Sequence, residues 1–240
     1  MTEASEQPPR VRVRGLGKSF RLHQDGEAPT DIPVFETLDL EVFPGECVVL
    51  AGASGVGKST LMRAIYGNYL PTRGAVEILH EGALVDVATC PPRRLLEVRR
   101  RSLGYVSQFL RVIPRIPTLQ LVMEPLLDNG VDEAEAEARA RAILGKLALP
   151  EQHWSLPPAT FSGGEQQRVN IARSFVSERP VMLLDEPTAS LDAGNRETVI
   201  ALIREALGRG AAMIGIFHDL DVREAVATRL FDVEAHRHAA

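Results

Sequence analysis

Two hydrophobic periods alternate along the chain, and the switches between them outline the fold. In "VRVRGL" (11–16) and "VFETLDLEVF" (34–43) apolar and polar residues alternate, the pattern of a half-buried strand. A turn at Pro44-Gly45 leads into "ECVVLAG" (46–52), a short apolar run suited to a buried strand. "KSTLMRAIYG" (58–67) has its apolar residues at helical spacing, "GAVEILHEGALVDVA" (74–88) predicts a hairpin, and "SLGYVSQ" (102–108) predicts a strand ending at Gln108. From residue 109 to 160 the texture is helical, in "LQLVMEPLLDNG" and in "DEAEAEARARAILGKLAL", where Glu135/Arg139 and Glu137/Arg141 stand four apart. Strand-like runs return at "PVMLLD" and "AAMIGIF", each followed by a helical pattern, and "RLFDVEAH" closes the chain. Apolar strands alternating with helices predict an α/β fold with a largely parallel core sheet. The stretch 23–33, "HQDGEAPTDIP", reads as a loop by composition, and the polar start through residue 10 as a frayed end.

Composition narrows the function classes. The 240 residues carry 27 Lys+Arg against 32 Asp+Glu, a net charge of -5, the opposite of the basic footprint of a nucleic-acid binder, so no nucleic acid is expected as a partner. Cys47 and Cys90 are the only cysteines and form no C-x-x-C pair, which points away from a disulfide framework or a zinc site and toward a reducing, cytoplasmic compartment. No stretch approaches the roughly 20 apolar residues of a membrane span, and "MTEASEQPPR" lacks an apolar leader, so no membrane insertion is expected.

The chemistry lies in the glycine-rich and acidic runs. "GASGVGKST" (52–60) matches G-x-x-x-x-G-K-[ST], behind a predicted strand and ahead of a predicted helix. Its glycines, Gly52, Gly55 and Gly57, let backbone amides wrap phosphates closely, with Ser54 and Thr60 in the same cradle; Lys58 reaches the β- and γ-phosphates, and Ser59 is placed for Mg²⁺. "VMLLDEP" ends an apolar run in Asp185 and Glu186, which strand alternation would point in different directions. With a phosphate loop upstream, Asp185 becomes the partner of the Mg²⁺ held by Ser59, and Glu186 the group that polarises an attacking water. "FSGGEQQRV" has two readings: a capping box of Ser162 with Glu165, or a helix start whose Gly163 and Gly164 leave its amides open to an anion.

The order and spacing of these runs resembles the ATP-binding cassette (ABC) ATPases from residue 11 onward. "FSGGE" (161–165) is similar to that family's LSGGQ signature, departing at Phe161 and Glu165 and retaining Ser162, Gly163 and Gly164. The resemblance implies a RecA-like parallel core with an antiparallel β subdomain over 11–107 and 178–240, and an inserted helical subdomain over 108–177. It implies ATP and Mg²⁺ as cofactors, with Gln108 contacting Mg²⁺ and the attacking water, Asp192 in the D-loop "ASLD", and His218 contacting the γ-phosphate. Phe20 occupies the position of the ring stacked on adenine; its other reading is a core residue, and the run Arg99–Arg101 reads as a solvated helix end or a subunit contact. In this family each nucleotide lies between the phosphate loop of one cassette and the signature of another, so a second cassette is an implied partner.

Between the shared motifs, "FLRVIPRIPTLQLVMEPLLDNGV", "GNYLPTRG" and "TFSGGEQQRVNIARSF" resemble the L-type cassette subunits of the bacterial carbon-phosphorus lyase system. That resemblance implies partnership with the G, H, I and J subunits and a K-type cassette, and a role in making α-D-ribose 1-methylphosphonate 5-triphosphate from ATP and methylphosphonate. The alternative is the nucleotide-binding subunit of a lipoprotein or macrolide exporter.

Overall fold

The computed structural model describes residues 7–22, 30–108 and 115–236. The 23–29 part of the expected loop, most of the expected frayed start and the "FLRVIP" stretch (109–114) lie outside the described residues. Thr30 to Pro33, read as loop, instead open a strand, because they pair with Ser19–Leu22 in an antiparallel ladder.

Two sheets organise the described residues. One is antiparallel: β1 (Val11–Leu22) lies between β2 (Thr30–Val42) and β4 (Arg73–His80), and β5 (Ala83–Asp86) completes the predicted hairpin on β4. The other is parallel, in the order β6 (Leu103–Val106), β7 (Val181–Asp185), β8 (Ala212–Ile216), β3 (Cys47–Ala51) and β9 (Arg229–Asp232). β7 and β8 are buried at every position, which explains their unbroken apolar runs.

The period of two sorts the parallel strands between two hydrophobic clusters. Val48, Leu50, Val181, Leu183, Ala212 and Ile214 face the antiparallel sheet and α1 (Lys58–Ile65). Cys47, Val49, Met182, Leu184 and Met213 face the other way, onto α5 (Gly163–Phe175) and α6 (Ala193–Gly208). The same cluster includes Leu121, Val122 and Leu126 of α3 (Thr118–Leu127) and Ala136, Ala140 and Leu144 of α4 (Glu133–Lys146), so the helical block shares its core with the parallel sheet. On α4, Glu137 and Arg141 meet at 2.6 Å and Glu135 and Arg139 at 3.6 Å. No described helix is long and apolar enough to cross a membrane.

The arginine run closes α2 (Pro92–Arg101) and is not merely solvated. Arg99 donates to the Tyr66 carbonyl and to Asn68 Oδ1, and Arg101 pairs with Glu81 at 2.8 Å, fastening α2 to its own chain.

Candidate nucleotide and hydrolysis site

In a parallel sheet every strand ends at the same edge, and the loops beyond that edge converge. Here β3 runs into the glycine loop, β7 into Glu186, β8 into Phe217-His218, and β6 into Ser107-Gln108. The register of β7 on β8 pairs Asp185 with Ile216, and the Glu186 amide donates to the Ile216 carbonyl at 3.0 Å.

The phosphate loop leaves β3 at Ala51 and enters α1 at Lys58, with Gly57 in the N-cap position at φ 112° and no side chain bonded to the helix-end amides. Those amides are therefore available to an anionic ligand, and the helix dipole favours one. A Cβ at residue 57 would lie 2.7 Å from Val34 and 2.8 Å from Phe35, so glycine is required both by the backbone angle and by the β2 side chains packed on the loop. Gly52, Ser54 and Gly55 are exposed; Lys58 Nζ donates to the Gly52 and Ala53 carbonyls at 2.7 and 2.9 Å, drawing the ammonium across the loop. The Ser59 hydroxyl group is on an exposed residue in the first turn of α1, and Thr60 follows it half-buried. This arrangement fits the triphosphate of ATP.

Asp185 is buried at the end of β7 and accepts a 2.7 Å hydrogen bond from the Tyr105 hydroxyl on the neighbouring strand. Burial, and then this bond to the carboxylate, hold the Tyr105 phenol well above its usual range, so it stays a donor. Among the described residues no three His, Cys, Asp or Glu side chains cluster to hold a metal. Ser59, Gln108 and Asp185 carry side-chain oxygens, the donor type that Mg²⁺ takes alongside phosphate oxygens at nucleotides.

Glu186 differs from its expectation in one respect. Strand alternation does not separate it from Asp185; β7 has already ended, and Glu186 adopts a left-handed φ of 51°. A non-glycine residue there carries strain of about 1–3 kcal/mol, the kind that persists where surrounding structure imposes it. The consequence is a carboxylate held from both sides: Oε1 lies 2.7 Å from His218 Nε2, and Oε2 accepts from Gln108 Nε2 at 3.3 Å. Gln108 does not end a strand, since β6 stops at Val106, and its position two residues beyond the sheet edge lets it reach Glu186. A cavity of about 380 Å³ opens beside this cluster, lined by Glu186, Thr188, Ala189, Leu191, Arg196, His218 and Asp219.

The second glycine run begins α5. Ser162 caps the helix, Glu165 reaches back to the Ser162 amide at 2.9 Å and its hydroxyl at 2.7 Å, and Gly163 has open space around it. The Ser162 hydroxyl and then its amide hold the Glu165 carboxyl below its usual range. The two readings of this segment are thus compatible, because the capping box occupies one side of a helix start that is still exposed. The two glycine runs share no hydrogen bond among the described residues. Asp192 caps α6 by accepting from the Asn195 amide and side chain at 2.9 and 2.7 Å. Phe20 is half-buried near the end of β1, edge-on to Tyr69 at 5.3 Å with Lys18 Nζ 4.8 Å from its ring, and is not part of either core cluster.

Sequence reading missed Tyr105, Gln167 and Asn170. Tyr105 is an aromatic in a strand, with no spacing that announces a carboxylate partner; Gln167 and Asn170 stand three apart on α5, a spacing that puts two amides on one helix face, while their burial shows only in the structure.

Comparison with known proteins bears on the family and the fold. A family model described as ABC transporter matches residues 35–189. The lipoprotein-releasing system ATP-binding protein LolD of Shewanella sp. (strain MR-4) is 36% identical over 210 residues, covering 87% of each chain. The macrolide export ATP-binding/permease protein MacB of Azoarcus sp. (strain BH72) is 35% identical over 225 residues, covering 94% of this chain and 33% of that longer protein. The dimeric post-hydrolysis structure of the ATP-binding cassette MJ0796 bound to ADP and Pi superposes with a TM-score of 0.81 at 27% identity, over 93% of this chain and 95% of that one. With its parallel core, antiparallel sheet and packed helices in the cassette arrangement, the chain belongs to the ABC transporter family of ATP-binding cassette ATPases.

Proposed function

We propose that the chain hydrolyses ATP as the L-type cassette subunit of a carbon-phosphorus lyase system, acting in the cytoplasm with a second cassette and with the G, H, I and J subunits. The hydrolytic part of this reading is carried by Glu186, clamped between Gln108 and His218 at the sheet edge that also bears the phosphate loop. Gly52 to Thr60 bind the phosphates, and Phe20, free of the core, is available to the adenine. Mg²⁺ between Ser59, Gln108 and Asp185 would neutralise charge on the phosphate oxygens. Glu186 takes a proton from a water whose oxygen attacks the γ-phosphorus; the bond to the β–γ bridging oxygen breaks, and ADP and phosphate leave. Gln108 orients that water and His218 stabilises the transferring phosphoryl group.

None of these groups is arranged for attack at a ribose carbon, so replacement of adenine by methylphosphonate is assigned to a partner subunit. This chain then supplies an ATP-driven conformational step. Signature residues Ser162, Gly163 and Gly164, with the D-loop around Asp192, would face the nucleotide of the second cassette, either its own copy or a K-type subunit. The assignment to the lyase system is supported by the segments between the cassette motifs, "GNYLPTRG", "RIPTLQLVMEPLLDNGV" and "EQQRVNIARSF".

The second reading, a nucleotide-binding subunit of a membrane exporter, is favoured by the names of the LolD and MacB relatives. Affinity purification of the chain from its native cell, followed by mass spectrometry, separates the two. Phosphonate-system subunits in the eluate support the proposal; an integral membrane permease would overturn it.

A further inference from the structure

One helix reaches the backbone on both sides of the Glu186 cluster. Asn170 on α5 donates from Nδ2 to the carbonyl of Ser107 at 2.7 Å, and Gln108 is the next residue. One turn earlier Gln167 donates from Nε2 to the carbonyl of Pro187 at 3.2 Å, and Glu186 is the residue before it. Both amides are buried, at 6% and 3% exposure, beside Val169, Ile171 and Ala172. Asparagine is a poor helix former, and a buried amide of either residue is costly unless bonded, so packing favours neither of them here. What each gains is a fixed bond to a loop that delivers a side chain to the carboxylate. At the helix start, Gly164 lies so close to the Ser190 carbonyl that an added Cβ would sit 2.9 Å from it.

We propose that Gln167 and Asn170 are positioning residues for hydrolysis, with Asn170 setting Gln108 and Gln167 setting Glu186. The exposed first turn of α5, where Ser162 and Gly163 would meet the nucleotide of a second cassette, is thereby rigidly joined to the hydrolytic groups of its own chain. The inference rests on Glu186 and Gln108 being hydrolytic.

The test uses Asn170→Leu and Gln167→Met, each close in size to the original and lacking the donor, in the full chain with its co-purifying partners. ATP turnover, KM and the affinity for a fluorescent ATP analogue with Mg²⁺ are measured beside thermal unfolding; Asn170→Ala replaces Asn170→Leu if the latter does not fold. The expected result is kcat lowered about tenfold with KM and analogue affinity within about twofold, the split that follows when an interaction matters only in the transition state. Parental kcat in both variants, or kcat and analogue affinity falling together, would overturn it. Glu186→Gln is measured in parallel. If it turns over at the parental rate, the hydrolytic reading falls and takes the positioning with it. If it is inactive while both α5 variants keep parental kcat, the positioning alone falls.

Discussion

Glu186 Oε1 and His218 Nε2 stand 2.7 Å apart, brought together by two neighbouring parallel strands. The pairing of Asp185 with Ile216 fixes how far each strand extends, and the Glu186 amide bonded to the Ile216 carbonyl locks the corner from which the carboxylate turns back. Sheet register thus places Glu186, and the short segment from Ile216 to His218 beyond β8 brings the imidazole to it.

This contact sets unequal expectations for its two members. Removing the carboxylate in Glu186→Gln keeps the side-chain shape and loses the base, so kcat should fall by about 100-fold or more, the lower range of general-base contributions. His218→Ala should lower kcat with ATP binding retained, because the phosphate loop and Lys58 remain intact. Phosphate release under saturating Mg-ATP, with analogue binding as the control, measures both; unchanged turnover in Glu186→Gln removes it from the mechanism.

Gly57→Ala should damage fold and binding together. The new methyl group would enter the contact between the loop and Val34 and Phe35, at a backbone angle that alanine adopts only with strain. A destabilisation of about 1–3 kcal/mol is expected from the angle alone, visible as a lower unfolding midpoint, with loss of analogue binding. Gly55→Ala also has a positive φ but meets nothing within 4 Å, and should unfold closer to the parent.

Most of the architecture was legible because its causes are local. Unbroken apolar runs such as "VMLLD" report burial on both faces, and a glycine-rich loop between strand and helix reports a phosphate cradle whatever surrounds it. What remained hidden was set by tertiary partners. Thr30–Pro33 carries loop composition yet pairs with β1, and Phe20 is half-buried against Tyr69 and Lys18 outside both core clusters, a placement its sequence neighbours do not announce. The left-handed turn at Glu186 has no local signature either, since glutamate is not a residue that favours it.

The Glu165 carboxyl, held below its usual range by Ser162, makes the start of α5 sensitive to acid. A depressed folded-state pKa contributes stability that is present above the unfolded value, about 4.3 for glutamate, and is lost as pH falls through the folded value. Glu165→Gln can keep the capping geometry without titrating. The difference in unfolding midpoint between parent and variant should therefore change as the pH is lowered through the carboxylate range, at lower pH than any change contributed by His153, whose Nδ1 lies 3.2 Å from Glu165 Oε1. A difference independent of pH would show that the charge on Glu165 does not support the cap.

The cysteines should differ in reactivity. Burial in β3 pushes the Cys47 thiol up to about 12, so at neutral pH it is neither ionised nor reachable, whereas Cys90 is half-buried near the start of α2. Alkylation of the folded chain followed by peptide mass spectrometry should modify Cys90 first and Cys47 only with unfolding. Rapid labelling of Cys47 in the native chain would contradict the burial of that strand.

Gly164→Ala offers a way to separate the chain's own nucleotide from that of a second cassette. The added methyl group would press on the Ser190 carbonyl, which is backbone and cannot swing aside, so the first turn of α5 and the segment leading to Asp192 must separate by a few tenths of an ångström. Neither segment is hydrogen-bonded to the phosphate loop, so binding of an ATP analogue to this chain should be close to parental. ATP-driven association is expected to suffer, because Ser162 and Asp192 would both be displaced at the surface proposed to meet the other cassette. Placed in a Glu186→Gln background, where the ATP-bound dimer is expected to accumulate, the variant should remain monomeric by light scattering with Mg-ATP. A Gly164→Ala chain that dimerises as readily as its parent would show that the helix start and the Asp192 segment do not form that surface together.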